Sequence, residues 1–386
     1  MSAFLEYHLI QNFAPSNLNR DDTGAPKDAI FGGHRRARQS SQCQKKAIRD
    51  RFKSSGLVSA ADLGVRTRHL DRVLFDELKA AGLDEPAKFN EIVKQALKSK
   101  DKKDEDSGGD KEEKSAPVLS YLLFVSATEV DAMKALVTKH ANKLKELAEK
   151  KKIKRSDVSA DFKDELKDIL GRSKAVDVAL FGRMLADLPA VNQDAACQVA
   201  HAISTHRVER EFDYFTAVDD KGDAGETGAG MIGQVEFNSA TLYRYAVLDL
   251  HKLRSNLNDR DLTLAAVEAF TRALALAIPS GKQNSFAAHN PPEFIGVCLR
   301  HATPLSLANA FEKPVLPRSD LALTEQSVER LAAYEAKLAG VYAAPEDQWL
   351  TLDLTGRWPA DKGEATSNLD ALAQRTRALA AAALEG

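Results

Sequence analysis

The chain has 386 residues, of which 44% are hydrophobic and 28% charged, and its formal net charge is −2. It contains no apolar run of the roughly 20 residues that a membrane span needs, and its amino end lacks the features of a secretory signal. Its three cysteines (Cys43, Cys197 and Cys298) are too few and too widely spaced for a disulfide scaffold or a zinc cluster. We therefore expect a globular, cytoplasmic protein.

The first predicted elements are a strand, a loop and a helix. Phe4 to Gln11 alternates apolar and polar side chains, which predicts a strand that Pro15 ends. A loop containing Gly, Pro and Asp is expected from Asn17 to Gly33. Ser41 followed by Gln44 fits the capping-box spacing, so we expect a helix from there to about Phe52.

One strongly basic block overlaps this loop and helix. Ile30 to Lys53 carries eight Lys/Arg residues and a single acidic residue, Asp50. Such a block in a nearly neutral protein indicates a docking site for a polyanion. Because helix N-termini also favour anions, the loop and the helix start together predict a phosphate site.

The middle of the chain is predicted to be mostly helical. The apolar spacing indicates helices over Leu70–Leu97 and Phe162–Leu170. Lys98 to Ser115 is of mixed charge and contains almost nothing apolar, so a flexible loop is expected there. Leu119 to Val125 is predicted to be a buried strand, and a capping box at Ser126 and Glu129 to begin a helix that ends near Lys151. A second basic cluster, at Lys150 to Arg155, is interpreted as a solvated helix end.

From Ala175 onwards, strands and helices mix. Alternating Val176, Val178 and Leu180 predict a strand that ends at Gly182. Further strands are expected over Gln198–Val208, Phe237–Leu248 and Phe294–Leu299, and helices over Asp261–Ile278, Glu325–Leu338 and Leu369–Leu384. Asp219 to Gly230, rich in Gly and Asp, is predicted to be the mobile tip of a protruding hairpin. The mixture predicts an α+β fold with segregated helices.

Two groups of residues allow more than one interpretation. Asp21, Asp22 and Asp28 share one loop and fit a divalent metal site for phosphodiester cleavage, although turn capping and pairing with Arg20 or Lys27 is the favoured interpretation. Tyr214 and Phe215 are adjacent on a strand, so at least one of them is expected to be available for base stacking unless both lie in the core. No Ser/His/Asp or Cys/His pattern with a recognisable nucleophile motif is present, which favours a protein that is not an enzyme.

Several segments, taken in chain order, resemble one known family. These are LNRDD, KDAIFGGHRRAR with SSQ, GRM, AHAISTHRVE, YFTAVDD, EFNSATLYRYA and PLSLANAFEK, which begin at Leu18, Lys27, Gly182, Ala200, Tyr214, Glu236 and Pro304. Together they are similar to the CasC-type backbone subunits of the type I-E CRISPR surveillance complex, Cascade. The resemblance extends to about residue 315 and is weakest from Ser55 to Ala175.

The resemblance implies a hand-like protein with a modified RRM or ferredoxin-like palm. Palm segments would occupy residues 1–54, 173–191 (as a strand) and 235–386. A helical fingers insertion would span 55–172 and include the loop at 98–115, and a β-hairpin thumb would span 192–234. Several copies are expected to polymerise along CRISPR guide RNA in a helical filament with other Cascade subunits, and to present the guide for pairing with target DNA in antiviral defence.

The resemblance also implies which residues contact RNA. Positions that resemble guide-backbone contacts are Arg20, Lys27, Ser40, Gln42, Lys45 and Arg49. Met184 resembles an apolar wedge beside a displaced base, and the thumb positions similar to those that separate bases are Tyr214, Phe215, Thr216 and Ile232. Two alternatives stay open: a metal-dependent endoribonuclease of the related type III backbone kind that uses the loop aspartates, and an RRM-like monomer that binds cellular RNA.

Overall fold

The computed structural model describes residues 2–98, 119, 122–171, 175–184, 192–217 and 231–385. The predicted loop after Lys98 and the predicted hairpin tip at Asp219–Gly230 lie outside these residues. The strands are β1 Phe4–Ser16, β2 Asp28–Phe31, β3 His34–Gln39, β4 Gly64–Thr67, β5 Leu123–Ser126, β6 Cys197–Val199, β7 Ala202–Ser204, β8 Glu211–Ala217, β9 Met231–Asp249, β10 Phe294–Arg300, β11 Gln348–Asp353 and β12 Glu364–Ala365.

The same residues contain thirteen α-helices. These are α1 Ser41–Ser54, α2 Leu70–Val73, α3 Phe75–Ala80, α4 Lys88–Leu97, α5 Ala127–Lys139, α6 Ala141–Ala148, α7 Ala160–Leu170, α8 Val176–Phe181, α9 Leu250–Leu257, α10 Arg260–Leu276, α11 Gln283–Phe286, α12 Leu323–Tyr342 and α13 Leu369–Ala383. Within the described ranges, none of these helices has the length and apolar character needed to cross a membrane.

The chain divides into two compact units. The first comprises residues 1–57, 197–251 and 264–386, and the second comprises 58–196 and 252–263. The first is built on a sheet with the order β12-β11-β10-β1-β9-β7-β3-β2, and β6 and β8 also pair with β9. The second is mainly helical around a core of residues from α2 to α7, to which β5 contributes Leu123 and Val125. A unit built on a sheet and a mainly helical unit confirm the predicted α+β class.

The central strand β1 is buried on both faces, although its sequence alternates. On one face the Tyr7 ring meets Phe270 of α10 edge-on at 5.2 Å, and the Tyr7 hydroxyl lies 3.0 Å from that of Thr271. On the other face Glu6 accepts a hydrogen bond from Arg300 at 2.6 Å. Because the polar side chains of β1 have buried partners, they mark a second packed layer and not a solvent face.

The carboxyl-terminal region provides that second layer. Val328 and Leu331 of α12 pack with Trp349 and Trp358 in one buried cluster, which also contains Phe294 of β10. The Arg300 guanidinium beneath this layer pairs with Asp347 at 2.8 Å as well as with Glu6. Residues after 315, which lie beyond the motifs that carry the resemblance, therefore cover the second face of the palm sheet.

The start of helix α1 differs from the prediction by one residue. Ser40, not Ser41, is the N-cap, and its hydroxyl accepts a hydrogen bond from the Cys43 N–H at 3.4 Å. The Gln44 side chain points inward and donates to the Ala200 carbonyl at 2.9 Å, so the predicted Ser41–Gln44 capping box is wrong. The second predicted capping box, at Ser126 and Glu129, is confirmed.

The predicted palm strand within residues 173–191 is wrong, because Val176 to Phe181 form helix α8. Val176 through Leu180 are all buried, so their alternation does not mark one buried and one exposed face. The Asp177 side chain accepts the Gly64 N–H at 2.8 Å. Burial of this segment on all sides thus overrides the strand preference of its valine residues. These residues lie in the second unit.

Other boundaries shift for local reasons. The predicted loop at Asn17–Gly33 contains β2, which pairs with β3 across the Gly32-Gly33 turn. Both glycines have positive φ, at 57° and 77°, as a two-residue hairpin requires. The helical stretch from Leu70 to Leu97 divides into α2, α3 and α4, and the last break contains Gly82 and Pro86.

Candidate nucleic-acid interface

The N-terminus of α1 is the centre of the candidate site. Ser40 has the extended backbone of an N-cap, with φ −67° and ψ 152°, and the described first turn carries no acidic side chain. The backbone N–H groups of the first turn have no partners within the helix and carry partial positive charge. Gln42 is exposed in this turn, whereas Ser40 is only 7% exposed. The site therefore offers backbone donors and an amide side chain to an anion.

The loop before β2 is attached directly to this helix start. The Asn19 side-chain oxygen accepts the Ser40 N–H at 2.8 Å, and the Asn19 carbonyl accepts the Lys27 N–H at 2.8 Å. Arg20 forms a backbone bridge with Pro26 and is exposed. The two predicted loop cations, Arg20 and Lys27, are therefore brought next to the first turn of α1.

Two further side chains that the sequence analysis did not select, Arg38 and His201, lie beside Lys27. The Arg38 guanidinium is 3.0 Å from the His201 ring nitrogen, and the Arg38 N–H donates to the Lys27 carbonyl at 2.9 Å. Burial lowers the pKa of His201, and the positive charges of Arg38 and Lys27 lower it further. His201 is therefore mainly neutral at pH 7, and its proton affinity depends on the charge that arrives at this site.

Lys45 and Arg49 continue the site along α1. Both are partly exposed, while Ala47, Ile48 and Phe52 of the same helix are buried, as the spacing predicts. Burial raises the pKa of the Cys197 thiol to about 12, and the charge of Lys45 acts in the opposite direction. Lys45 therefore lies close to the buried end of β6 while its side chain remains partly in solvent.

Not every cation of the basic block is available to a ligand. Arg36 is fully buried, and its guanidinium donates to the carbonyls of Ser204 at 2.8 Å and Phe311 at 2.7 Å. It also lies over the Phe31 ring at 5.6 Å. Arg36 therefore ties β3 to two distant segments of the first unit and has a structural role.

The loop aspartates are engaged in local contacts. Asp21 accepts hydrogen bonds from the Thr23 hydroxyl at 2.7 Å and from the Ala25 N–H at 3.0 Å, and the Thr23 bond is the main cause of its lowered pKa. Asp28 pairs with Arg35 at 2.7 Å and with Arg210 at 3.0 Å. Among the described residues no group of three or more His, Cys, Asp or Glu side chains is arranged to hold a metal ion.

Strands β8 and β9 pair antiparallel, as the predicted hairpin requires. Tyr214 is 72% exposed, and Phe212, two residues earlier and therefore on the same face, is 57% exposed. Phe215 points to the opposite face, where its ring lies over Gly233. Thr216 pairs through its backbone with Ile232. The sequence analysis missed Phe212, although its spacing from Tyr214 is the signal of a shared face.

Met184, the predicted wedge, belongs to the second unit and is 83% exposed. It follows helix α8 and the turn at Gly182. An apolar side chain with this exposure has no role in the core of its own unit, so it is available to a ligand or to another chain.

Comparisons with known proteins give consistent similarities. A family model described as "CT1975-like protein" matches residues 5–375. A solved structure described as "CRISPR RNA-guided surveillance complex, pre-nicking" contains a chain 32% identical to this one, with a TM-score of 0.83, and the match covers 98% of this chain and 100% of that chain. A chain of a second structure, described as "CRISPR RNA-guided surveillance complex", is 27% identical, with a TM-score of 0.71 and coverages of 97% and 99%. No curated protein sequence matches. The structural similarity confirms the predicted RRM-like palm fold.

Proposed function

The chain belongs to the CT1975-like protein family, and on this basis we propose that it is a guide-RNA-binding backbone subunit of a CRISPR RNA-guided surveillance complex. Its similarity along nearly the whole chain to a subunit of such a complex supports this function. In this role the protein binds the guide without reading its sequence, and base pairing with target DNA supplies the specificity.

The finer assignment follows the sequence motifs. We propose that the complex is of the type I-E Cascade kind and that several copies polymerise along one guide in a helical filament with other Cascade subunits. In this proposal residues 55–172 act as fingers and residues 192–234 as the thumb. The subunit acts in the cytoplasm as a scaffold and not as an enzyme.

The observation that carries the proposal is the grouping of positive charge at one capped helix start. Lys27, Arg38 and the first turn of α1 meet there, and Arg20 extends the same surface. Phosphate groups are favoured at such a place for two additive reasons, which are the cationic side chains and the helix N-terminus. Lys45 and Arg49 extend the contact along the helix, and Ser40 acts mainly by capping it.

Residues of strands β8 and β9, together with Met184, supply the second part of the mechanism. We assign Tyr214, Phe215, Thr216 and Ile232 of the hairpin to the separation of neighbouring bases, and Met184 to the displaced base. Stacking of a base on an aromatic ring contributes roughly 1–3 kcal/mol and tolerates any base. Such contacts divide the guide into short ordered segments without selecting a sequence.

Co-purification with RNA tests this function. We expect the protein, expressed together with a CRISPR array, to carry RNA of one discrete short length, and its mass by light scattering to grow in equal steps with guide length. The Arg20→Ala/Lys27→Ala variant should lose this RNA, whereas Lys53→Ala, at the far end of α1, should keep it. A monomer carrying RNA of random length would contradict the proposal and favour a general RNA-binding protein.

A cleavage assay separates the scaffold from the nuclease alternative. The protein assembled on a guide is incubated with complementary RNA and Mg²⁺. We expect the RNA to stay intact, because Asp21 and Asp28 are engaged with Thr23, Arg35 and Arg210. Periodic cleavage that disappears in Asp22→Ala or Asp28→Ala would overturn the scaffold function.

A further inference from the structure

The two residues that follow Gly182 have opposite environments. Met184 is 83% exposed, whereas Arg183 is only 5% exposed. An arginine adjacent to a proposed RNA contact would ordinarily be expected to bind phosphate. The burial of Arg183 removes its guanidinium from any phosphate, so this side chain must serve another purpose.

The guanidinium of Arg183 joins three elements of the second unit. It donates to the Phe124 carbonyl of β5 at 2.8 Å, to the Glu129 carboxylate of α5 at 2.7 Å, and to the carbonyl of Leu170 at the end of α7. Glu129 is itself 1% exposed. Further hydrogen bonds offset the cost of burying an ion pair, and Arg183 makes two of them, to the carbonyls of Phe124 and Leu170.

Glu129 is held in place independently of the arginine. Its second carboxylate oxygen accepts the Ser126 N–H at 2.6 Å and the Ser126 hydroxyl at 2.9 Å, which completes the capping box of α5. The carboxylate is therefore fixed at a helix N-terminus, where negative charge is favourable. The Glu129 side chain that pairs with Arg183 is therefore already held in place by Ser126.

The backbone around Arg183 is constrained as well. Arg183 and Gln193 exchange two hydrogen bonds of 2.9 Å between their backbones. Gly182 has a φ of +79°, and a Cβ atom at this position would lie 2.9 Å from the Gln193 carbonyl oxygen. Only glycine fits both the angle and the space. The turn that precedes Met184 is thus fixed through its backbone and through the side chain of Arg183.

We propose that the buried Arg183–Glu129 pair is a support that fixes where Met184 projects, so that Arg183 is a positioning residue and not a phosphate contact. The role of Met184 toward RNA rests on the proposed function, whereas the fixing of position 184 does not require RNA. Because the support joins α5, α7 and β5, it couples the placement of Met184 to the packing of the whole second unit.

A spin label at position 184 tests the support without RNA. The label is attached through Met184→Cys in a Cys43→Ser background, since Cys197 and Cys298 are buried. Lysine at position 183 keeps the charge, but its single ammonium nitrogen replaces the two guanidinium nitrogens, Nη1 and Nη2, that reach the three acceptors. We therefore expect Arg183→Lys to increase nitroxide mobility several-fold, and the exposed control Arg66→Lys to leave it unchanged. An unchanged spectrum in folded Arg183→Lys would overturn the inference.

A second variant protects the test against loss of folding. Glu129→Gln removes the charge but keeps an oxygen acceptor, and it should increase the mobility of the same label in the same direction. Circular dichroism establishes that each variant is folded. If Arg183→Lys unfolds, the result with Glu129→Gln decides: an immobile label refutes the support, and a mobile label upholds it.

RNA binding separates this inference from the proposed function. In the protein with native Met184, Arg183→Lys should bind guide RNA within about twofold of the unmodified protein, with the same dependence on salt. A fall in the salt slope of about 0.7 in Arg183→Gln, which removes the charge, would identify Arg183 as a phosphate contact and refute the inference. The fluorescence of 2-aminopurine at the displaced base should fall in both Arg183→Lys and Met184→Ala. If Met184→Ala changes nothing while the label still becomes mobile, the wedge role fails and the support stands.

Discussion

Removal of Arg20 and Lys27 should weaken RNA binding through lost phosphate contacts. Both side chains lie beside the first turn of α1, and the charge of Lys27 reaches Cys43 on one side and His201 on the other. Lys53 carries the same charge in the last turn of the same helix. At about 1.5 Å per residue it lies roughly 20 Å from the cap, well beyond the Debye length of about 8 Å in physiological salt.

The size of the effect follows from counterion release. Each phosphate contact on a single strand contributes about 0.7 to the slope of log affinity against log salt. The Arg20→Ala/Lys27→Ala variant should therefore lose about 1.4 units of slope. In 0.15 M salt the same loss weakens binding by roughly 10- to 15-fold, or about 1.5 kcal/mol.

Fluorescence anisotropy of a labelled oligoribonucleotide, titrated at several KCl concentrations, measures both quantities. We expect Lys53→Ala to keep the slope of the unmodified protein. Equal losses of slope in Lys53→Ala and in Lys27→Ala would refute a local phosphate site and indicate only a diffuse positive surface.

Three further outcomes follow from the site. Phe212→Ala should lower stacking-dependent quenching of a 2-aminopurine oligonucleotide about as much as Tyr214→Ala. Unchanged quenching in Phe212→Ala would show that the Phe212 ring does not share the role of Tyr214. The pKa of His201 is lowered in the free protein, and a bound phosphate would raise it, so RNA affinity should rise several-fold as the pH falls below about 6.5. His201→Gln should remove this rise. A rise that persists in His201→Gln would show that His201 is not its cause. Asp28→Asn should lower the free energy of unfolding by about 1 kcal/mol in chemical denaturation through its pair with Arg210, whereas unchanged stability would show that the pair is dispensable.

The elements that local signals define were predictable from the sequence. The structure contains the capping box at Ser126, the buried helix face of Ala47, Ile48 and Phe52, and a strand that begins at Phe4. These features depend on residues within a few positions of one another, so the sequence contains all the information they need. The Gly32-Gly33 pair was also a valid hairpin signal, which the prediction of a long loop overlooked.

Features that depend on distant contacts were not predictable. Arg36 and Arg183 look like the other cations of their motifs, but their acceptors include Phe311 and Phe124, which are far away in the chain. The valine and leucine residues of helix α8 alternate as in a strand, but every residue from Val176 to Leu180 is buried. Burial is a property of the tertiary structure, so neither periodicity nor charge indicated it.

The site itself was predictable in part. The motifs identified Arg20, Lys27 and Gln42 around a helix start, and the structure brings them together. They did not identify His201, because its neighbour Arg38 lies on β3 and reaches it only through the pairing of β3 with β7. Phe212 was missed, although it was predictable. Tyr214 was selected, and a residue two positions away on a strand lies on the same face.

Photocrosslinking tests the central claim most directly. A 4-thiouridine-labelled guide RNA is irradiated in the assembled protein, and the crosslinked peptides are identified by mass spectrometry. The account predicts crosslinks within residues 17–49 and on strand β8. Crosslinks concentrated in the other basic cluster, Lys150 to Arg155, with none near the start of α1, would contradict it.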